Sequence, residues 1–108
     1  WAGNVIERAD FWWRRNRKVY AGGKDVICRH QPSYYFEHNI GMTFMRDHAA
    51  VASRDVIGVD SILWGSDFPH HVSTWPKSRE VLDEHFAGVP DEVRTKIVRD
   101  NARRLYGF

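Results

Sequence analysis

Gly58-Val59-Asp60-Ser61-Ile62-Leu63-Trp64-Gly65-Ser66-Asp67-Phe68-Pro69-His70 is the stretch on which the reading of this chain turns. Ile62, Leu63 and Trp64 follow one another without a polar interruption. An unbroken apolar run of that length suits a parallel strand covered on both faces. The strand is predicted over Ser61–Gly65 and leads directly into the polar run Ser66-Asp67-Phe68-Pro69-His70-His71.

Reading outward from this strand gives the order of elements. Upstream, Asp47 is placed to cap a helix through Ala49, Ala50, Val51 and Val56 that Gly58 closes. Before it, Ile40–Phe44 is a second short apolar strand, with Met42 and Phe44 on one face. Pro32-Ser33 opens a short helix through Tyr35 and Phe36 that stops near Asn39. Near the start, Val5, Ile6, Ala9, Trp12 and Trp13 recur at helical spacing between Asn4 and Lys18 and form one stripe. Arg14, Arg15, Arg17 and Lys18 gather at its C-terminal end, where cations suit the helix dipole, and Gly22-Gly23 ends the unit in a loop. Downstream, Pro76 opens a helix through Val81, Leu82, His85 and Phe86. Pro90 opens another through Val93, Ile97 and Val98, and a last turn runs from Asn101 to Tyr106. Strands separated by helices predict a parallel α/β sheet, mostly helical by residue count. Two strands cannot cover their own edges, so the piece needs more sheet than it carries.

The bulk numbers bound the function. The chain has 108 residues, 43% hydrophobic and 28% charged, the proportions of an ordinary soluble domain. No stretch approaches a membrane span, and no signal-peptide pattern is present. A single cysteine, Cys28, excludes an internal disulfide and a cysteine-based metal cluster, and makes a reducing cytoplasm the default compartment. The net charge of +2 gives no reason to expect a nucleic-acid or membrane partner. Five Trp residues, and an opening at Trp1 inside a predicted helix, lead us to read residues 1–108 as one partial domain of a longer protein.

The chemistry centres on Asp67. An acidic residue just past a buried parallel strand lies where α/β barrels and open sheets place their reactive groups. There a carboxylate binds a divalent cation or takes a proton from a water the cation has acidified. The other reading is a turn residue that caps the next helix through local hydrogen bonds. Position alone leaves both open.

The letters around Asp67 add a resemblance. The Gly58–His70 segment resembles the last barrel strand of the amidohydrolase-related family, the group of aminocarboxymuconate-semialdehyde decarboxylase-like and resorcylate decarboxylase-like enzymes. Arg29 through Phe36, with Pro32-Ser33-Tyr34-Tyr35-Phe36, is similar to the family's segment before strand seven. Thr74-Trp75-Pro76-Lys77-Ser78 follows the last strand as in many members, and Asn101-Ala102-Arg103-Arg104-Leu105-Tyr106-Gly107-Phe108 resembles the terminal helix. The resemblance implies the C-terminal part of a (β/α)8 barrel, about strands seven and eight, under half of the roughly 250 residues a barrel needs. It implies for Asp67 a place beside a catalytic divalent metal, zinc or manganese, as ligand or proton acceptor. The other ligands the family uses, a His-x-His pair and two single histidines, have no counterpart here, so the chain by itself is expected to be inactive.

The remaining candidates each have a simpler role to set against a functional one. His70, and less distinctly His71, can reach a substrate carboxylate or relay protons from the loop after Asp67. His85 falls on an inward stripe and reads as a satisfied core histidine. His30 and His38 flank the Pro32 turn without metal-ligand spacing and read as surface, as does Arg29. Cys28 reads as a buried inert thiol. Arg14-Arg15-Asn16-Arg17-Lys18 reads as a solvated helix face, and Trp1, Trp12 and Trp13 as contacts to barrel strands or, in a homodimer, to a partner subunit. The expected function is a metal-dependent hydrolase acting on a small cyclic or carboxylated substrate. The alternatives are a non-oxidative decarboxylase and a non-catalytic structural or dimerising remnant; a missing upstream His-x-His would favour the latter.

Overall fold

In the computed structural model residues 1–20 and 28–108 are described, with residues 17–20 as backbone only. The Gly22-Gly23 loop and the side chains of Arg17 and Lys18 lie outside the described residues. Helix α1 runs from Ala2–Tyr20 and α2 from Pro32–Asn39. Strand β1 is Met42–Phe44, followed by α3 (His48–Ala52), α4 (Arg54–Ile57) and a single 3-10 turn. Strand β2 is Ile62–Trp64, then come α5 (Ser78–His85), α6 (Asp91–Thr95) and α7 (Asn101–Tyr106). The two strands pair in parallel with Met42 opposite Ile62 and Phe44 opposite Trp64. The expected α/β order, mostly helical, is what forms.

Met42, Phe44, Ile62 and Trp64 share the sheet face that packs on the helices, because side chains of a strand alternate faces. The core beneath that face consists of Ala2, Ile6, Val51, Ile57, Ile62, Leu82, Phe86 and Ile97. Leu63 points the other way and is still buried. On that side the backbone at Gly41 comes so close that a Cβ there would lie 3.3 Å from Leu63 Cδ1.

Several expected details hold. Asp47 Oδ1 accepts from Ala50 N at 3.2 Å and caps α3. Gly58 ends α4 at φ +96°, a conformation that strains residues with a Cβ. Pro32 occupies the first turn of α2, where its missing N–H costs nothing.

Others are corrected. The buried stripe of α1 is Ala2, Ile6 and Asp10, while Val5 and Trp12 face outward. Asp10 goes inside because its Oδ1 accepts from Ser33 N at 2.8 Å, satisfying a free N–H in the first turn of α2. The helix expected from Asp47 to Gly58 is broken at Ser53 into α3 and α4. Helix α5 begins at Ser78 rather than at Pro76, since residues 75–76 form a turn, closed by Lys77 N donating to Thr74 O, that leads into it. Residues 91–106 are continuously helical, because a π turn, Lys96–Asp100, joins α6 to α7 in place of a break. Within that turn the Asp100 carboxyl is held below its ordinary range, first by the hydrogen bond from Arg99 Nε at 2.7 Å. Cys28 is exposed, not buried.

The terminal helix grips the entrance to β2. The buried Asn101 amide donates from Nδ2 to Val59 O at 2.7 Å and to Ile62 O at 2.8 Å. Arg104 Nη2 donates to Asp60 O at 2.6 Å, and Lys96 Nζ pairs with the Asp60 carboxylate at 2.8 Å. The Asn-Ala-Arg-Arg ending is therefore a clamp on the strand that presents Asp67.

Candidate functional site

Strand β2 stops at Trp64, and the chain leaves it toward Asp67 from a fixed base. Gly65 N donates to Phe44 O at 3.0 Å, which extends the ladder one residue past the strand. Trp64 Nε1 donates to Met45 O at 3.1 Å and ties the ends of both strands together. Asp67 follows at φ +59°, the one positive φ at a non-glycine residue among those described. A side chain there normally costs about 1–2 kcal/mol, and aspartate is one of the few residues whose short polar group tolerates it.

The Asp67 carboxylate meets an imidazole. His70 Nδ1 lies 3.0 Å from Asp67 Oδ1. A carboxylate only accepts, so Nδ1 carries the proton and donates, which leaves Nε2 as the second reactive atom of the ring. Both side chains are well exposed, 43% for Asp67 and 72% for His70, so the pair adds little to stability. His70 N also donates to Asp67 O at 2.9 Å and closes the turn. The turn reading of this residue is thus half right: the backbone turns at Asp67, but its carboxylate holds a side chain rather than capping a helix.

A second layer of bonds sits behind Asp67. Ser73 Oγ donates to Ser66 O at 2.7 Å, and Thr74 N donates to the same oxygen at 3.0 Å. Thr74 is buried, and its hydroxyl bonds Ser78 Oγ at 2.8 Å at the start of α5. The signal available in the sequence was the Ser-Thr-Trp-Pro run itself, which has no periodicity to mark it as structural.

The remaining candidates do not join this site. His71 is exposed on the same loop. His30 and His38 are exposed and stack on Tyr34, with centroids 4.1 and 4.0 Å away. His85 is half-buried against the His48 ring at 4.4 Å, and its Nδ1 finds no hydrogen-bond partner among the described residues. It is not the satisfied core histidine expected. Arg29 is exposed. Trp1 and Trp12 are exposed, and Trp13 is half-buried. A cleft of about 300 Å³ lined by Ala2, Gly3, Met42, Phe44, Asp47 and Ile57 lies beside β1. Neither Asp67 nor His70 lines it.

No group of three or more His, Cys, Asp or Glu side chains among the described residues is arranged to hold a metal ion. The donor set around Asp67 fits one corner of such a centre: an exposed carboxylate, oriented by a histidine, at the end of a strand.

The sequence model of the Amidohydrolase family matches residues 10–108. The chain belongs to the amidohydrolase family. No curated protein matches this amidohydrolase chain at a significant level. Among solved structures it is similar to 5-carboxyvanillate decarboxylase from Sphingomonas paucimobilis, at 22% identity and a TM-score of 0.72. The alignment covers 98% of this chain and 30% of that enzyme. At that identity the likeness establishes the fold: an α/β segment matching part of a TIM-barrel enzyme. Members of the family are typically metal-dependent enzymes. No helix among the described residues is long and apolar enough to cross a membrane.

Proposed function

We propose that this chain supplies the Asp67 corner of the catalytic centre of a metal-dependent amidohydrolase-type enzyme acting on a small cyclic or carboxylated substrate. The observation that carries the reading is Asp67 itself, held at a strained φ past the end of a parallel strand with His70 on its carboxylate. Strained backbone at a strand's C-terminal end is a mark of functional positions in α/β proteins. We assign β1 and β2 as the seventh and eighth strands of a (β/α)8 barrel. Their parallel pairing supports neighbouring barrel strands, and the resemblance of Asn101–Phe108 to the family's terminal helix supports the last two places.

A divalent cation, zinc or manganese, when bound at Asp67 and at ligands from the rest of the barrel, supplies charge stabilisation and lowers the pKa of water. Asp67 is placed to take the proton of an attacking water. His70, with its Nδ1–H given to Asp67, keeps the Nε2 lone pair free to accept the departing proton. Only as the doubly protonated imidazolium does Nε2–H donate to a substrate carboxylate. A second reading is non-oxidative decarboxylation. There Asp67 acts in its protonated form. The bond between the substrate carbon and its carboxylate breaks, carbon dioxide leaves, the electron pair stays on the carbon, and that carbon takes the Asp67 proton, which solvent then restores. The similarity in fold to an enzyme that is a carboxyvanillate decarboxylase favours this second reading.

Product analysis separates the two. The protein that carries this chain, loaded with zinc or manganese, is incubated with a panel of aromatic carboxylates and cyclic amides or lactones. Ring-opened acids are the expected products of a hydrolase, and labelled carbon dioxide that of a decarboxylase. Neither product from any substrate, under conditions where the metal is bound, counts against both.

A further inference from the structure

We propose that Ser73 is a positioning residue for Asp67, an inference that rests on the role given to Asp67 above. The geometry is specific. Asp67 needs a positive φ, and the peptide that precedes it must be held at a fixed tilt for its carboxylate to meet a fixed target. That peptide's oxygen, Ser66 O, receives two donors from one short segment, Ser73 Oγ at 2.7 Å and Thr74 N at 3.0 Å. The Ser73 hydroxyl is itself oriented, since it accepts from Trp75 N at 3.1 Å and so has its proton free to donate to Ser66 O. Ser66 Oγ in turn accepts from Phe68 N at 3.4 Å, so the peptides on both sides of Asp67 are engaged.

The segment that delivers these bonds is anchored at its other end. Thr74 is 1% exposed, its hydroxyl meets Ser78 Oγ, and Lys77 N donates to Thr74 O at 2.8 Å. Helix α5 thereby fixes residues 73–74, residues 73–74 fix Ser66, and Ser66 sets the peptide that carries Asp67. Ser73 touches no substrate in this chain of contacts; it acts through the backbone. Outer-shell partners of this kind are worth roughly 10–100-fold in activity or metal affinity when removed.

The test uses the metal-loaded protein that carries this chain and three substitutions. Ser73→Ala is expected to lower kcat by about tenfold with KM nearly unchanged. Ser73→Cys, with similar volume and a far weaker donor, is expected to do the same and stands in if the alanine variant fails to fold. Ser73→Thr keeps the hydroxyl and is expected to stay within about twofold of the parent. In the metal-free proteins, the Asp67 backbone chemical shifts are expected to move in Ser73→Ala and Ser73→Cys and to hold in Ser73→Thr. Full kcat in both Ser73→Ala and Ser73→Cys, equal losses in all three variants, or unmoved Asp67 shifts would overturn the proposal. Asp67→Asn, run alongside, separates the two layers. Its full activity removes the reading of Asp67 and this inference with it. Its inactivity with normal Ser73 variants removes this inference alone.

Discussion

Asp67→Asn is expected to reduce the turnover of the protein carrying this chain by about three orders of magnitude while leaving its melting temperature nearly unchanged. The two halves of that expectation come from different physics. Asparagine tolerates a positive φ as well as aspartate does, so the φ of +59° persists without new strain. Its amide oxygen still accepts from His70 Nδ1, so the turn that His70 closes survives. What disappears is the negative charge and the proton affinity of the carboxylate. Removing a general acid or base costs roughly 10²–10⁴ in rate, and on the function proposed above an anionic metal ligand is lost with it. Alanine would confound the two effects by adding backbone strain. Steady-state kinetics with a melting curve measures both at once. Loss of activity together with a large fall in melting temperature would mark Asp67 as structural instead.

The second large effect concerns stability. Asn101→Leu is expected to destabilise the fold by about 3 kcal/mol, read from the shift of a urea unfolding transition. Leucine is close to the amide in size, so the loss comes from hydrogen bonding rather than from a cavity. Asn101 is 2% exposed and its Nδ2 serves two backbone carbonyls, at Val59 and Ile62, that bracket the entrance to β2. Each buried acceptor left without a donor costs about 1–3 kcal/mol. Asn101→Asp is expected to be at least as damaging, since it sets a carboxylate against the same two oxygens. By contrast, Lys96 and Arg104 reach Asp60 at the surface, and such exposed pairs are worth at most about 1 kcal/mol. A Leu variant within about 0.5 kcal/mol of the parent would show that the two carbonyls find other partners.

How much of this was legible beforehand depends on where the deciding partner lies in the chain. Strand β2 was readable because three apolar residues in a row have few alternatives, and Asp67 because it follows that strand. The Asp47 cap was readable because its bond is local, to Ala50 three residues on. The stripe of α1 was misread because what buries Asp10 is a backbone N–H at Ser33, 23 residues away, and periodicity is blind to it. The continuity of residues 91–106 was hidden for a related reason. A π turn shifts the register in mid-helix, and the fixed 3.6-residue period misses it. At the site, the family-like letters drew attention to Asp67 and His70, and the structure brings those two together. The same letters marked no role for Ser73, because its contact with Ser66 is set by the path of the loop and not by spacing.

Both the site and its support depend on Asp67 standing at a divalent cation in the complete barrel. The most direct measurement is a crystal structure of the zinc- or manganese-loaded protein, with the metal located by its anomalous scattering. The expected result is a metal peak at the C-terminal end of β2, with an Asp67 oxygen about 2.0–2.2 Å away as a ligand, or one water removed as the proton acceptor. A metal peak elsewhere in the protein, with the Asp67 carboxylate turned to solvent, would contradict it.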